Sequence, residues 1–133
     1  MKGRFWTSVI AMFVMSMLLG FAIHGGLLMN DYARLLNLMR SQEASAAMFP
    51  YMILAHVFIA VGFTWIYLKG REDKPWFAQG LRFGIAVAVL MTIPTYLIYF
   101  AVMPFPSDLV AQQIVFDTIG MILMGIVLAW ISR

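Results

Sequence analysis

The chain has 133 residues, of which 63% are hydrophobic and only 11% are charged, and it contains no cysteine. Soluble domains are close to half apolar and a quarter charged, so this composition excludes a soluble enzyme, a nucleic-acid binder and a disulfide-stabilised scaffold. Long uncharged runs separate the charged residues, and a bilayer core is crossed by about 20 helical residues. We therefore predict an integral membrane protein.

Three uncharged runs, and a fourth that is broken only by Asp117, predict four transmembrane helices in chain order, at residues 5–29, 47–68, 76–103 and 108–131. The first run follows Lys2 and Arg4, as a signal peptide would, but its apolar stretch continues to Met29 and is longer than a signal peptide needs. We therefore expect it to remain as the first helix. The predicted fold is an all-α membrane domain over residues 1–133, in which the four helices form an antiparallel bundle.

The segment between the first two helices is predicted to form a short amphipathic helix over residues 31–44. Its apolar residues recur at helical spacing, and they are Tyr32, Leu35, Leu36 and Met39. Arg34 and Arg40 fall on the opposite side. Such a pattern is typical of a helix that lies in the membrane interface with its cations toward lipid phosphates.

Small residues mark the packing faces of the last two helices. Gly80, Gly84 and Ala88 form one stripe, and Gly125 and Ala129 form another. Small-residue stripes let helix backbones approach closely within one chain or between two copies of it. Inside the third helix, Pro94 frees the carbonyl of Leu90 from its helical hydrogen bond, so a kink is expected there.

The positive charges predict the orientation. Seven of the nine lysines and arginines fall on one side of the predicted bundle, and only Arg34 and Arg40 fall on the other. Cytoplasmic loops are enriched in such residues, so both termini are expected in the cytoplasm, most naturally beneath a bacterial inner membrane. The four tryptophans lie at the same inner interface, where Arg82 is expected to be a headgroup anchor.

Three ionisable side chains lie inside the predicted spans: His24, His56 and Asp117. Counted from the outer helix ends at about 1.5 Å per residue, they lie roughly 6 to 13 Å below the outer boundary. Other polar residues fall at a similar level, namely Thr95, Tyr96, Tyr99 and Gln113. A carboxylate at this depth needs a partner, so we expect Asp117 beside His56 or Tyr96. The prediction is a polar cluster in the outer half of the bundle.

Three functions are compatible with this cluster, besides a purely structural role in fixing helix register. The first is a non-enzymatic accessory, assembly or ligand-binding subunit, whose partners are the bilayer and other membrane subunits or a second copy. The second is binding of haem b or a metal ion by His24 and His56, with Asp117 as a further ligand. The third is a small proton-coupled carrier that acts as a homodimer, with Pro94 as a hinge. No nucleophile elbow or phosphate-binding glycine loop supports catalysis.

Overall fold

The computed structural model describes residues 2–35 and 37–133, and every regular element within these ranges is helical. The α-helices are α1 (Lys2–Ala22), α2 (Met29–Ala33), α3 (Gln42–Ala47), α4 (Phe49–Gly70), α5 (Trp76–Val87), α6 (Ile93–Val102) and α7 (Ser107–Ser132). A first π-helical segment, Ile23–Leu27, continues α1, and a second, Ala88–Thr92, joins α5 to α6.

Four helical stretches are long and apolar enough to cross a membrane: Gly3–Leu27, Phe49–Gly70, Trp76–Val102 and Ser107–Ser132. The shortest has 22 residues, against the about 20 that a bilayer core requires. The prediction of an all-helical protein with four candidate membrane spans is therefore confirmed. The predicted bounds of each span lie within two residues of these ends.

The predicted amphipathic helix over residues 31–44 is wrong as one continuous element. α2 ends at Ala33 and α3 begins at Gln42, and the described residues between them form turns. Ser41 has an extended backbone, and its side chain accepts a hydrogen bond from the Ala44 amide, so it starts a new helix. Leu35 turns inward and is buried against Leu109 and its neighbours. Leu36, which was assigned to the apolar face, lies outside the described residues.

α5 and α7 approach each other so closely that their backbones are in contact. A Cβ atom added to Gly84 would lie 2.5 Å from Ile122 Cα, and one added to Gly80 would lie 2.6 Å from Gly125 O. Only glycine fits at such distances, because any side chain would overlap the neighbouring backbone. The small-residue stripes predicted on these two helices therefore face each other within one chain.

α1 packs on α4 and α7, and this contact contains most of the apolar core. The main core cluster consists of Val9, Met12, Ala60, Phe63, Tyr67, Met124, Leu128 and Ala129. A smaller cluster of Ile23, Leu28, Leu35 and Leu109 lies at the other end of the helices. We call that end, which carries α2, α3 and the Met103–Pro106 turn, the loop end. The opposite end, where Arg4 and Arg71 meet Ser132 and Arg133, is the terminal end.

Pro94 lies at the beginning of α6, directly after the second π-helical segment. Proline has no backbone N–H, so the turn that precedes it loses a regular hydrogen bond. The chain accommodates this loss by widening Ala88–Thr92 into a π-helical turn that includes Leu90. The helix therefore departs from α-helical geometry at Leu90, the residue whose carbonyl Pro94 was predicted to free from its hydrogen bond.

Candidate functional site

Five polar side chains from three parts of the chain meet at the loop end. His24 lies in the first π-helical segment and Tyr32 in α2, Tyr96 comes from α6, and Gln113 and Asp117 lie one helical turn apart on α7. We call these five residues the loop-end cluster. π-helical turns in helices are frequent at functional sites because they redirect a side chain from the regular helical face.

Asp117 is the centre of the loop-end cluster. Its Oδ2 atom lies 3.1 Å from His24 Nε2, and its Oδ1 atom lies 3.2 Å from the same nitrogen. The Tyr96 hydroxyl donates a short hydrogen bond to Oδ2 and lies 3.5 Å from His24 Nε2. The side chain of Asp117 is 17% exposed and that of His24 is 33% exposed. The carboxylate is thus bonded on two sides, as a charge at low dielectric requires.

Tyr32 connects the imidazole to the amide of Gln113. Its hydroxyl lies 2.6 Å from His24 Nδ1 and accepts a hydrogen bond of 2.9 Å from Gln113 Nε2. Burial raises the pKa of the Tyr32 phenol; the bond from Gln113 opposes this, and the negative charges of Asp117 and Asp31 raise the pKa further. Tyr32 is therefore a neutral phenol at any physiological pH.

Gln113 has one polar atom without a partner among the described residues. The residue is only 5% exposed, and its Oε1 atom is buried with no hydrogen-bond donor beside it. Leaving such an acceptor unpaired costs about 1–3 kcal/mol. Five buried side-chain atoms among the described residues have no hydrogen-bond partner, and Gln113 Oε1 is the one that belongs to the loop-end cluster.

Arg34 does not project freely toward lipid phosphates, as the amphipathic-helix prediction required. Its guanidinium donates to Asp31 and lies 3.3 Å from Asp108 Oδ2, so it joins α2 to the start of α7 at the rim of the loop end. Arg40 is exposed. Arg82 is exposed as well, and its Nε donates to the carbonyl of Ala78 in the preceding helical turn.

Asp117 was expected beside His56 or Tyr96; it contacts Tyr96, and His56 does not belong to the loop-end cluster. Its Nδ1 atom lies 2.9 Å from Ser16 Oγ. Its ring fills the space above Gly20, where an added Cβ would lie 3.5 Å from the imidazole Cε1 atom. His56 therefore fixes α4 against α1.

The metal set proposed from the sequence, His24, His56 and Asp117, is not assembled. No group of three histidine, aspartate or glutamate side chains suited to a metal ion occurs within residues 2–35 and 37–133. Both ring nitrogens of His24 are already engaged, by Tyr32 and by Asp117. A haem or metal ion would have to break these bonds to reach the imidazole.

Two further residues predicted for the site lie outside it. Thr95 and Tyr99 are exposed on the surface of α6. Thr95 is next to Tyr96, and a helix turns by about 100° per residue, so Thr95 points away from the face that carries Tyr96. Tyr99 is three residues after Tyr96 and lies near the same face, but it is 48% exposed. The sequence placed all three at the right depth, and depth alone does not determine the direction of a side chain.

Tyr32 was predicted on the apolar face of the amphipathic helix, and the structure places it in the loop-end cluster. The reason is that the helical path does not end near Met29 but continues to Ala33. His24 therefore lies nine residues before the end of α2, and Asp117 lies ten residues after the start of α7. The spacing of His24, Leu28 and Tyr32 at every fourth residue is the signal that could have shown this continuation.

No protein-family model matches this chain, and no curated protein or solved structure shows significant similarity to it. Its function must therefore be inferred from the geometry of its own side chains.

Proposed function

We propose that this chain is a small, non-enzymatic, ligand-binding membrane subunit, whose loop-end cluster takes up either a proton or a polar ligand group. The observation that carries the proposal is the bonded chain from Asp117 through His24 and Tyr32 to Gln113, which ends on the buried, unpaired Oε1 atom. Buried acceptors are rarely left unsatisfied, so this oxygen supports the binding of a donor group at the cluster.

The proposal includes an antiparallel four-helix bundle with both termini in the cytoplasm of a bacterial cell, so that the loop-end cluster lies in the outer half of the membrane. Seven of the nine lysines and arginines lie on the side of the termini, which supports this orientation. The cluster then exchanges protons with the outer aqueous phase through the one-third-exposed imidazole of His24.

Two proton arrangements are compatible with the observed distances. With a neutral His24, the Tyr32 hydroxyl donates to Nδ1, and the Nε2–H group donates to Asp117. With a charged His24, Nδ1 carries the added proton and donates a hydrogen bond, so the Tyr32 hydroxyl must act as its acceptor. The Tyr32 hydrogen then needs a new acceptor, and Gln113 Oε1 provides one when the amide turns over, because the amide lies 2.9 Å from that hydroxyl.

Other charged or titratable groups lie near His24, Tyr32 and Gln113 on the helices that pack against them. Tyr96 faces it from α6, and the ion-paired residues Asp31, Arg34 and Asp108 form the rim above it. α4 contributes only His56, which is bonded to Ser16. Protonation of His24 therefore changes the net charge of the loop-end cluster from about −1 to neutral, with Asp117 as the counterion.

The unpaired oxygen also defines the ligand chemistry. A ligand that places an N–H or O–H group against Gln113 Oε1 satisfies the acceptor without any turn of the amide. Such a ligand stabilises the neutral form of His24, because the amide then keeps donating to Tyr32. Proton uptake and ligand binding at the loop-end cluster therefore oppose each other.

The chain has only two histidines, so ¹⁵N-histidine labelling gives a two-residue spectrum in lipid vesicles. The His24 ring-nitrogen signals are recorded between pH 9 and pH 4, because Nδ1 accepts a hydrogen bond from Tyr32 in the first arrangement and donates one in the second. Gln113→Leu should lower the charged fraction of His24 at a fixed acidic pH, because the second arrangement loses its acceptor. Gln112→Leu, a matched change at the adjacent residue, should leave the fraction unchanged.

The proposal fails if His24 keeps one protonation state over the whole range, or if Gln112→Leu alters it as much as Gln113→Leu does. The His56 signals in the same sample report whether the histidine environment changes generally.

A proton-coupled homodimeric carrier is the second candidate, and the π-helical turn before Pro94 favours it. That turn lies between Gly84, which packs directly against the backbone of α7, and Tyr96, which contacts Asp117. Bending there would move Tyr96 relative to the carboxylate. A carrier predicts pH-dependent solute uptake into proteoliposomes that Asp117→Asn abolishes, and uptake that persists in Asp117→Asn would contradict it.

A further inference from the structure

A cavity of about 430 Å³ lies at the terminal end, between the start of α1 and the ends of α4 and α7. It is separate from the loop-end cluster and shares no residue with it. Its volume is within the range of small-molecule sites in proteins, which is roughly 300–1,000 Å³. The side chains around it divide into a basic group, an apolar group and one buried hydroxyl.

The basic group consists of Arg4, Lys69 and Arg71. No carboxylate lines the cavity, and none of the three cations forms a salt bridge with another described residue. Glu72 follows Arg71 directly, but its carboxylate is paired with Lys74. The cavity therefore has three positive charges without an anionic side chain to balance them.

Two of these cations are held in place by main-chain oxygen atoms of Ser132, the last residue of α7, and of Arg133, which follows it. Arg4 Nη1 donates to Arg133 O over 3.2 Å, and Arg71 Nη1 donates to Ser132 O. Each guanidinium has five N–H donors, so most of its donors stay available for another acceptor. The guanidiniums are thus fixed beside the cavity and retain free hydrogen-bonding capacity.

Ser132 supplies an independent indication of a ligand. It lines the cavity and is only 3% exposed, and its Oγ atom is buried without a hydrogen-bond partner among the described residues. A serine hydroxyl beside two arginines is a suitable contact for a phosphate oxygen. The remaining wall is apolar and consists of Phe5, Trp65 and Leu68.

We infer that this cavity binds the phosphate group of an anionic amphiphile, with the phosphate against Arg4, Lys69, Arg71 and Ser132. The apolar wall of Phe5, Trp65 and Leu68 contacts the hydrocarbon part of the same molecule. A phospholipid headgroup and a free phosphate share the recognition chemistry of the basic group. Only the amphiphile also uses the apolar wall, so the inference commits to it.

The test measures binding to the purified full-length chain in a neutral detergent by native mass spectrometry, with three probes. These are phosphatidylglycerol, phosphatidylcholine and inorganic phosphate. We expect phosphatidylglycerol to bind at least about tenfold more tightly than phosphatidylcholine, since each basic residue at a membrane surface contributes about a fivefold gain for an anionic lipid. Inorganic phosphate should compete only weakly.

Lys69→Gln/Arg71→Gln should weaken phosphatidylglycerol binding by about 25-fold. Lys74→Gln/Arg82→Gln removes the same charge from the same end of the chain without touching the cavity, and it should change binding by less than about threefold. Ser132→Ala provides a test that does not depend on net charge. It removes an unpaired hydroxyl, so the thermal stability should be kept while the affinity falls by about threefold or more.

Equal binding of the two lipids would overturn the inference. So would an equal loss of affinity in the two double variants, because binding would then reflect net charge alone. If inorganic phosphate binds as tightly as phosphatidylglycerol, the cavity is a phosphate site and the amphiphile assignment is wrong.

Discussion

Replacing Asp117 by alanine should destabilise the protein more than any other single change of a carboxylate in the chain. Asp117 accepts hydrogen bonds from the Tyr96 hydroxyl and from His24 Nε2. Alanine leaves both donors without an acceptor, and each orphaned buried donor costs about 1–3 kcal/mol. Because His24 is one-third exposed, water compensates part of its loss, and we expect a total of about 2–4 kcal/mol.

Asp117→Asn keeps one acceptor oxygen, so it should cost less, about 1–2 kcal/mol. The matched control is Asp108→Ala on the same helix, whose carboxylate is 59% exposed and lies 3.3 Å from Arg34 Nη2. An exposed ion pair of this kind contributes about 1 kcal/mol or less. The assay is equilibrium unfolding in mixed micelles with increasing dodecyl sulfate, followed by helical circular dichroism. If Asp117→Ala costs no more than Asp108→Ala, the bonded network around Asp117 does not exist as described.

Three further predictions test other parts of the structure. Gly84→Ala should destabilise the protein by about 1–3 kcal/mol in the same assay, because its Cβ would lie 2.5 Å from Ile122 Cα. The control is Gly62→Ala, whose Cβ would have no atom within 4 Å, and it should be neutral or stabilising. The raised pKa of Tyr32 means that its contribution to stability is complete below pH 10 and is lost as the pH rises above that value; the wild type should therefore lose more stability than Tyr32→Phe between pH 10 and 12. Because both nitrogens of His24 are engaged, the purified protein should show no Soret absorption, and a Soret band that disappears on His24→Gln would contradict the assigned hydrogen bonds.

The four spans were predictable from the sequence because the charges that interrupt them are few and each uncharged run exceeds the thickness of a bilayer. The small-residue stripes indicated that Gly80, Gly84 and Gly125 lie on packing faces of their helices. Whether these stripes meet within one chain or between copies depends on the order in which helices pack, and spacing along one helix does not contain that information. The three-dimensional structure supplies it.

The loop-end cluster was only partly predictable. Depth along the helices selected His24, Tyr96, Gln113 and Asp117, which the structure brings together, but it also selected His56, which contacts Ser16 instead. His24 and His56 are chemically identical, and the choice between them depends on two local features: the extension of the first span through α2, and the π-helical turn at Ile23–Leu27. At this point of the structure, Leu28 and Leu35 are buried with Leu109 of α7, a contact that the spacing of residues along one helix does not reveal.

The central claim is that His24 and Asp117 act as one unit within a proton-binding site, and a double-mutant cycle tests it most directly. The free energy of unfolding is measured for the wild type, His24→Gln, Asp117→Asn and the double variant, at an acidic and at a mildly alkaline pH. We predict a coupling energy above about 1 kcal/mol, because the Asp117 carboxylate accepts a hydrogen bond from the His24 imidazole. A coupling below about 0.5 kcal/mol at both pH values would show that the two residues are independent and would contradict the proposed site.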